Sequence, residues 1–153
     1  MWLVLKILAV LLISASVGIL YRIPRNLLVY VSFVGAVAWL IMYITMELGA
    51  SGVFADFLAS IAIGFMAEIL ARALKKPATI FIIPGFIPLV PGGDAYMTML
   101  YMVEGHYVDG VAKGMQTILT AGAIAFGIFV SSTIFQLLKN YKLENHGTDV
   151  KES

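Results

Sequence analysis

The sequence contains no cysteine, and only 12% of its 153 residues are charged. Without cysteine the chain has no disulfides, no thiolate metal sites and no cysteine nucleophile. The few charges nearly cancel, leaving a formal net charge of +1. A nucleic-acid partner therefore has no electrostatic support, because such binding depends on many cationic contacts with phosphates.

The chain is rich in apolar residues. Hydrophobic residues make up 61% of the chain, and the mean hydropathy is +0.96. Soluble domains carry about a quarter charged residues, so this composition excludes a soluble globular domain. Five spans of about 20 residues would use most of the length, which leaves no room for a separate catalytic domain. We expect neither an enzyme activity nor a cofactor.

Five apolar segments are long enough to cross a membrane, at residues 2–20, 27–46, 53–74, 78–103 and 115–138. Their apolar runs are continuous, whereas a barrel strand alternates over about 10 residues. The predicted fold class is therefore all-α and polytopic, embedded in the lipid bilayer. Residues 1–142 form one transmembrane domain because the loops are too short to pack alone. Residues 143–153 are polar and are predicted to be a disordered cytoplasmic tail.

The cations mark one end of the predicted spans. Seven of them follow spans one, three and five: Arg22, Arg25, Arg72, Lys75, Lys76, Lys139 and Lys142. The alternate loops hold Lys113 as their only cation and are otherwise acidic. Cytoplasmic loops collect Lys and Arg, so we expect the N-terminus outside and the C-terminus inside. Span one also fits a signal peptide loosely, but cleavage would leave Arg22 and Arg25 outside.

Small residues recur at helical spacing and indicate where helices touch. Lipid supplies no hydrophobic drive between helices, so small side chains must let the backbones approach. The contact stripes predicted on this basis are Ser32, Gly35 and Ala36 in span two, Ser60, Gly64, Ala67 and Ala71 in span three, and Ala123, Gly127 and Ser131 in span five.

The fourth segment carries four of the five prolines of the chain. Each interior proline deletes a helical hydrogen bond and clashes with the preceding turn, so Pro84, Pro88 and Pro91 cannot share one regular helix. Unwound backbone at membrane depth is tolerated only inside protein or beside a water-filled cavity, and secondary transporters place substrate sites at such breaks. The predicted substrate-binding residues are Pro88, Pro91, Gly92, Gly93, Asp94 and Tyr96.

A half-helix is predicted to restart after Gly92 and Gly93, with Asp94 as its N-cap. The free N–H groups of a helix start suit an anion. Asp94 can occupy those donors itself, or it can bind an ammonium group or carry a proton. In the alternative interpretation the prolines merely end the span near the outer surface, and Asp94 is a solvated cap.

Other charged residues were weighed as sites. Glu68 and Arg72 are spaced i, i+4 near the inner end of span three, so they can pair either as a pathway charge pair or as an interfacial anchor. Asp56 and Glu47 are predicted to be solvated outer-loop charges. His106 lies between carboxylates in the outer loop, but the pattern is too weak for a metal site, and we assign no metal.

The stretch Lys76-Pro77, then Pro88-Leu89-Val90-Pro91-Gly92-Gly93, then Tyr96-Met97-Thr98-Met99 resembles the threonine/serine exporter family. The resemblance is to the smaller, YjjB-type membrane subunit of its split form. The turn Arg22-Ile23-Pro24-Arg25-Asn26-Leu27 and the small-residue span three are also similar, and the resemblance covers roughly residues 1–142.

This resemblance implies an inner-membrane exporter of small carboxylate-bearing metabolites, either threonine and serine or a dicarboxylate such as succinate. It also implies a partner, a larger membrane subunit that supplies a second membrane half and a cytoplasmic part. Asp94 departs from the small residue or Ser of the family pattern, which favours an amino acid over a dicarboxylate. The main alternative is a membrane scaffold that stabilises a transporting partner. An intramembrane enzyme lacks a catalytic pair at membrane depth, and a channel lacks a ring-forming charged motif.

Overall fold

The computed structural model describes the backbone of residues 2–149 and the side chains of residues 2–138. Over that part the chain is helical, with six α-helices: α1 (Trp2–Leu20), α2 (Arg25–Glu47), α3 (Gly52–Leu74), α4 (Thr79–Phe86), α5 (Gly92–Val103) and α6 (Tyr107–Asp149). A short 3₁₀ turn, Ile87–Leu89, follows α4. The all-α prediction is confirmed.

Four helices are long and apolar enough to cross a membrane: α1, α2, α3 and the Tyr107–Leu138 part of α6. The segments Thr79–Leu89 and Gly92–Val103 pass the same test together and bend by 46° at the break. Counting that bent pair as one span gives five, so the five predicted spans and the broken fourth one are confirmed.

Local sequence signals explain where these helices begin and end. Ser51 caps α3 by accepting a hydrogen bond from the backbone N–H of Phe54 at 3.4 Å, which satisfies one free donor of the first turn. At the other end Lys75 adopts a left-handed conformation with φ 51°. That conformation closes a helix C-terminus, and the Pro77 that follows cannot continue a helix.

The last helix begins earlier than the predicted fifth span. The segment 104–114 was interpreted as an outer loop, but α6 starts at Tyr107, so Lys113 lies on the helix itself. Gly105, with φ 82°, makes the tight turn from α5 into α6. At its other end α6 is described through Asp149, inside the predicted polar tail. The disorder of residues 143–153 stays a prediction, and residues 150–153 lie outside the described part.

Two glycine–serine contacts form the seam along which α3 and α6 pack. Ser60 of α3 lies against Gly127 of α6, and Gly64 of α3 lies against Ser131 of α6. A Cβ on either glycine would collide with the opposing serine. Because both pairs step by four residues in the same direction, α3 and α6 run parallel along this seam. The predicted contact stripes on these two spans are therefore helix–helix contacts.

The core consists of two apolar clusters. One joins α2, α3 and α4 through Ile23, Leu27, Val31, Ala67, Ala71 and Phe81. The other joins α2, α3, the 3₁₀ turn and α6 through Val34, Ala38, Ala59, Ile63, Leu89 and Ile124. Gly85 permits the close approach of α4, because a Cβ there would lie 2.9 Å from Val34 Cγ1. These clusters hold the first half of the broken span in the groove between α2 and α3.

Candidate functional site

The broken fourth span changes neighbours at its break. Its first half, α4, packs between α2 and α3, while its second half, α5, packs along α6. Pro84 lies inside α4, Pro88 lies in the 3₁₀ turn and Pro91 precedes α5. Removal of successive backbone donors by these prolines ends the first helix and lets the second take a new direction. The break is therefore an irregular segment between two packed half-helices.

The second half-helix starts at Gly92, three residues before the start that the predicted Asp94 N-cap implied. Pro91 is its N-cap, with no side-chain cap hydrogen bond, and Asp94 is the third helical residue. The prediction that Asp94 is the N-cap is therefore wrong. The non-helical backbone ends at Pro91, with ψ 54°, and the Asp94 side chain instead forms an ion pair, with its Oδ1 2.8 Å from the ammonium nitrogen of Lys113 on α6.

This ion pair joins the start of α5 to α6 and is only partly shielded from solvent. The Lys113 and Asp94 side chains are 29% and 35% exposed. Thr98, one turn further along α5, donates a hydrogen bond to the Asp94 carbonyl oxygen at 2.8 Å, and it packs against Gly114 of α6. The pair is thus accessible to a solute while its two helices stay in close contact.

The backbone at the start of α5 is open. The first i→i−4 hydrogen bond of the helix runs from Ala95 N–H to the Pro91 carbonyl at 3.0 Å. The N–H groups of Gly93 and Asp94 precede it and have no acceptor within the helix. A Cβ added at Gly92 or Gly93 would meet nothing within 4 Å. Two free donors and an accessible carboxylate therefore lie within the first turn of α5, and the Lys113 ammonium group of α6 lies 2.8 Å from that carboxylate.

Tyr96 does not share this surface. It follows Asp94 by two residues, which is about 200° around a helix, and its side chain is 67% exposed. Of the predicted substrate-binding residues, five are close together because they are neighbours in the chain: Pro88, Pro91, Gly92, Gly93 and Asp94. Tyr96 lies on the opposite face of α5.

An apolar cavity of about 340 Å³ lies behind the break. Its lining residues come from the break and from α6: Phe86, Val90, Pro91, Ala121, Ile124, Ala125 and Ile128. Such a cavity offers no polar partner to a solute, so the polar groups of this region are those at the start of α5.

Asp56 is a residue that sequence reasoning placed wrongly. It was interpreted as a solvated outer-loop charge, but it lies on α3 with 8% exposure. Its Oδ1 atom has no hydrogen-bond partner within the described part of the chain. The spacing in the sequence could have predicted this burial. Asp56 precedes Ser60 and Gly64 by one and two helical turns, so it lies on the same face of α3 as these small residues.

The seam between α3 and α6 shows at which depth Asp56 lies. Ser60 is level with Gly127, so Asp56, one turn before Ser60, is level with Ala123 of the parallel helix α6. Ala123 does not line the cavity at the break itself, but it directly precedes Ile124 and Ala125, which do. Asp94 also lies within electrostatic range of Asp56. Asp56 of α3 and the Asp94–Lys113 pair of α5 and α6 therefore lie toward the same end of the bundle as the break.

Glu68 and Arg72 form the second predicted pair, near the other end of α3. Arg72 Nη2 lies 3.9 Å from Glu68 Oε2. At 1.5 Å per residue, Arg72 is about 24 Å along α3 from Asp56. The two charged regions are therefore separate and lie toward opposite ends of the bundle.

These features define a multi-pass helical membrane protein with one broken span and charged groups at the break. Residues 6–134 match the family model described as "Threonine/Serine exporter, ThrE". The chain belongs to the threonine/serine exporter family, as its proline–glycine segment indicated.

A relative from Haemophilus influenzae carries the description "Uncharacterized protein". It is 26% identical over 130 residues, which cover 80% of this chain and 44% of that protein. The chain thus spans less than half the length of that curated relative. No solved structure matches the chain.

Proposed function

We propose that the chain is the smaller membrane subunit of a two-component secondary exporter. It moves small carboxylate-bearing metabolites, threonine and serine or a dicarboxylate such as succinate, across the inner membrane. It acts in transport and not as an enzyme, with its N-terminus outside and its C-terminus inside. Family membership over residues 6–134 supports the general role, and the break between α4 and α5 carries the proposal for this chain.

The break suits a substrate site because half-helices present groups that a continuous helix keeps bonded. The free N–H groups of Gly93 and Asp94 are donors for a substrate carboxylate. The Asp94 carboxylate is an acceptor for a substrate ammonium. Lys113 now holds that carboxylate at 2.8 Å, so a bound amino acid would exchange its own ammonium for that of Lys113.

A second subunit would complete the pathway. No residue of α5 is buried, although the proposed topology makes this helix the outer half of a membrane span. The Haemophilus influenzae relative is more than twice as long as its matched part, which accords with a transporter that needs a further membrane half. We propose that a larger membrane subunit of the same family covers the free side of α5.

The test is export of labelled threonine, serine and succinate from cells that express this chain alone or with the larger subunit. Efflux only from cells with both subunits supports a split exporter and identifies the solute. Efflux from the chain alone would replace the two-component proposal with a self-sufficient oligomer. Absence of efflux from an assembled complex would overturn the export proposal for these three solutes.

The alternative is a membrane scaffold that stabilises a transporting partner. The close glycine–serine seam between α3 and α6 favours it, because that seam needs no solute to explain it. A scaffold predicts normal export by the Asp94→Asn variant and loss of the complex in Gly127→Leu. An exporter subunit predicts that Asp94→Asn assembles normally and transports poorly.

A further inference from the structure

A separate, polar cavity lies where α3 ends, about 24 Å along that helix from Asp56. It has a volume of about 520 Å³ and is lined by Glu68, Ala71, Arg72, Lys76, Ala78 and Gln136. Three of these side chains are charged, with one more positive than negative charge. The cavity at the break, in contrast, is lined by apolar side chains. The two cavities therefore differ in the chemistry that they offer to a solute.

Arg72 is held at this cavity from two sides while part of its guanidinium stays free. Glu68 Oε2 lies 3.9 Å from Arg72 Nη2, and the guanidinium carbon lies 4.9 Å from the centre of the Phe135 ring on α6. Both contacts limit the positions that the side chain can take. Its side chain is nevertheless 51% exposed. Because a guanidinium carries five donors, donors remain for an anionic group.

The turn after α3 places a second cation at the same cavity. Lys75 adopts a left-handed conformation, and the Lys76 N–H then donates to the Ala71 carbonyl at 2.9 Å. This closing hydrogen bond fixes the direction in which the chain leaves α3. Lys76 consequently returns to the rim of the cavity beside Arg72. Gln136 adds an uncharged donor and acceptor from α6.

We infer that this cavity is an entry site that binds the carboxylate of the transported solute on the inner side of the membrane. Arg72 binds the carboxylate through its planar donors, and Lys76 adds a point charge. Glu68 accepts the ammonium of an amino acid and repels the second carboxylate of a dicarboxylate. This inference rests on the proposed export function and on the inner location of the cationic loops.

The experiment uses inverted membrane vesicles that contain the assembled two-subunit complex, so that the cavity faces the added solute. Uptake of labelled threonine and succinate is measured against concentration. We expect Arg72→Gln to raise the KM for threonine about tenfold or more, because a charge-assisted hydrogen bond is lost. Arg72→Lys should recover part of this loss. Glu68→Gln should raise the uptake of succinate relative to threonine.

Arg25→Gln is the matched control, because it removes a cation from the same predicted membrane side without touching the cavity. If wild-type vesicles transport neither solute, the proposed function fails. If they transport and Arg72→Gln changes KM no more than Arg25→Gln does, the entry site is overturned.

Lipid phosphate shares the anionic chemistry of a carboxylate, so the complex is also reconstituted in vesicles of defined composition. The KM effect of Arg72→Gln should persist in pure phosphatidylcholine. An effect that appears only with phosphatidylglycerol present would assign Arg72 to anionic lipid and overturn solute binding.

Discussion

Lys113 of α6 and Asp94 of α5 form an ion pair with 2.8 Å between the ammonium nitrogen and the carboxylate oxygen. The pair joins the last long helix to the restart of the broken one. Both side chains are about one-third exposed. Ion pairs with such exposure contribute only about 0–1 kcal/mol to stability, so the fold does not depend on this contact.

The first prediction concerns Asp94. We expect Asp94→Asn to reduce threonine export about tenfold or more while membrane insertion and complex assembly stay at wild-type levels. The reason is that the variant loses the charge that binds a substrate ammonium, but little of the stabilising energy. Export rate and membrane abundance are measured in the same cells. Wild-type export by this variant would remove Asp94 from the substrate site.

The second prediction concerns Asp56, which is 8% exposed and has an oxygen without a hydrogen-bond partner. Burial of an unpaired carboxylate is unfavourable. Asp56→Asn keeps the shape and should leave the melting temperature of the purified protein unchanged or raised. We expect export to fall about tenfold, because Asp56 lies at the depth of the break. A lowered melting temperature with normal export would assign Asp56 to packing.

The third prediction tests the seam between α3 and α6. A Cβ at Gly127 would lie 2.8 Å from the Phe57 carbonyl oxygen and would also collide with Ser60. We expect Gly127→Ala to destabilise the protein by about 1–3 kcal/mol, as overpacking typically does. Thermal unfolding in detergent measures the change.

Gly122→Ala is the control for this substitution on the same helix, because a Cβ there meets nothing within 4 Å. The control should be neutral or slightly stabilising, since alanine favours a helix over glycine. Combining Gly127→Ala with Ser60→Gly should recover part of the loss. Equal effects of the two single alanine variants would contradict the seam.

The fourth prediction uses the absence of cysteine from the sequence, which makes single-cysteine labelling unambiguous. Gly93→Cys should react with a membrane-impermeant thiol reagent, because thiolates form and react where water reaches them. Added threonine should slow the reaction. Phe129→Cys, at an exposed apolar position of α6, should stay unreactive because it faces lipid. Labelling of Phe129→Cys but not Gly93→Cys would place the aqueous pathway elsewhere.

The broken span shows which structural features the local sequence predicts and which it does not. Three prolines within eight residues rule out a continuous helix whatever surrounds them, and the break lies where they predict. The start of α5 lies three residues before the predicted one, because a capping rule considers only neighbours in the chain. The side chain that engages Asp94 belongs to Lys113 on another helix, and no local rule contains that partner.

The sequence by itself determined the helical membrane class, the number of spans and the position of the break. These follow from apolar length, continuous hydropathy and proline chemistry, which are properties of neighbouring residues. Only the tertiary structure decided that Asp56 is buried, that Lys113 lies on α6, and that Arg72 and Lys76 share a cavity. The physical reason is that burial and charge pairing depend on which helices lie side by side. That arrangement is set by close contacts such as Ser60 with Gly127, between residues far apart in the chain.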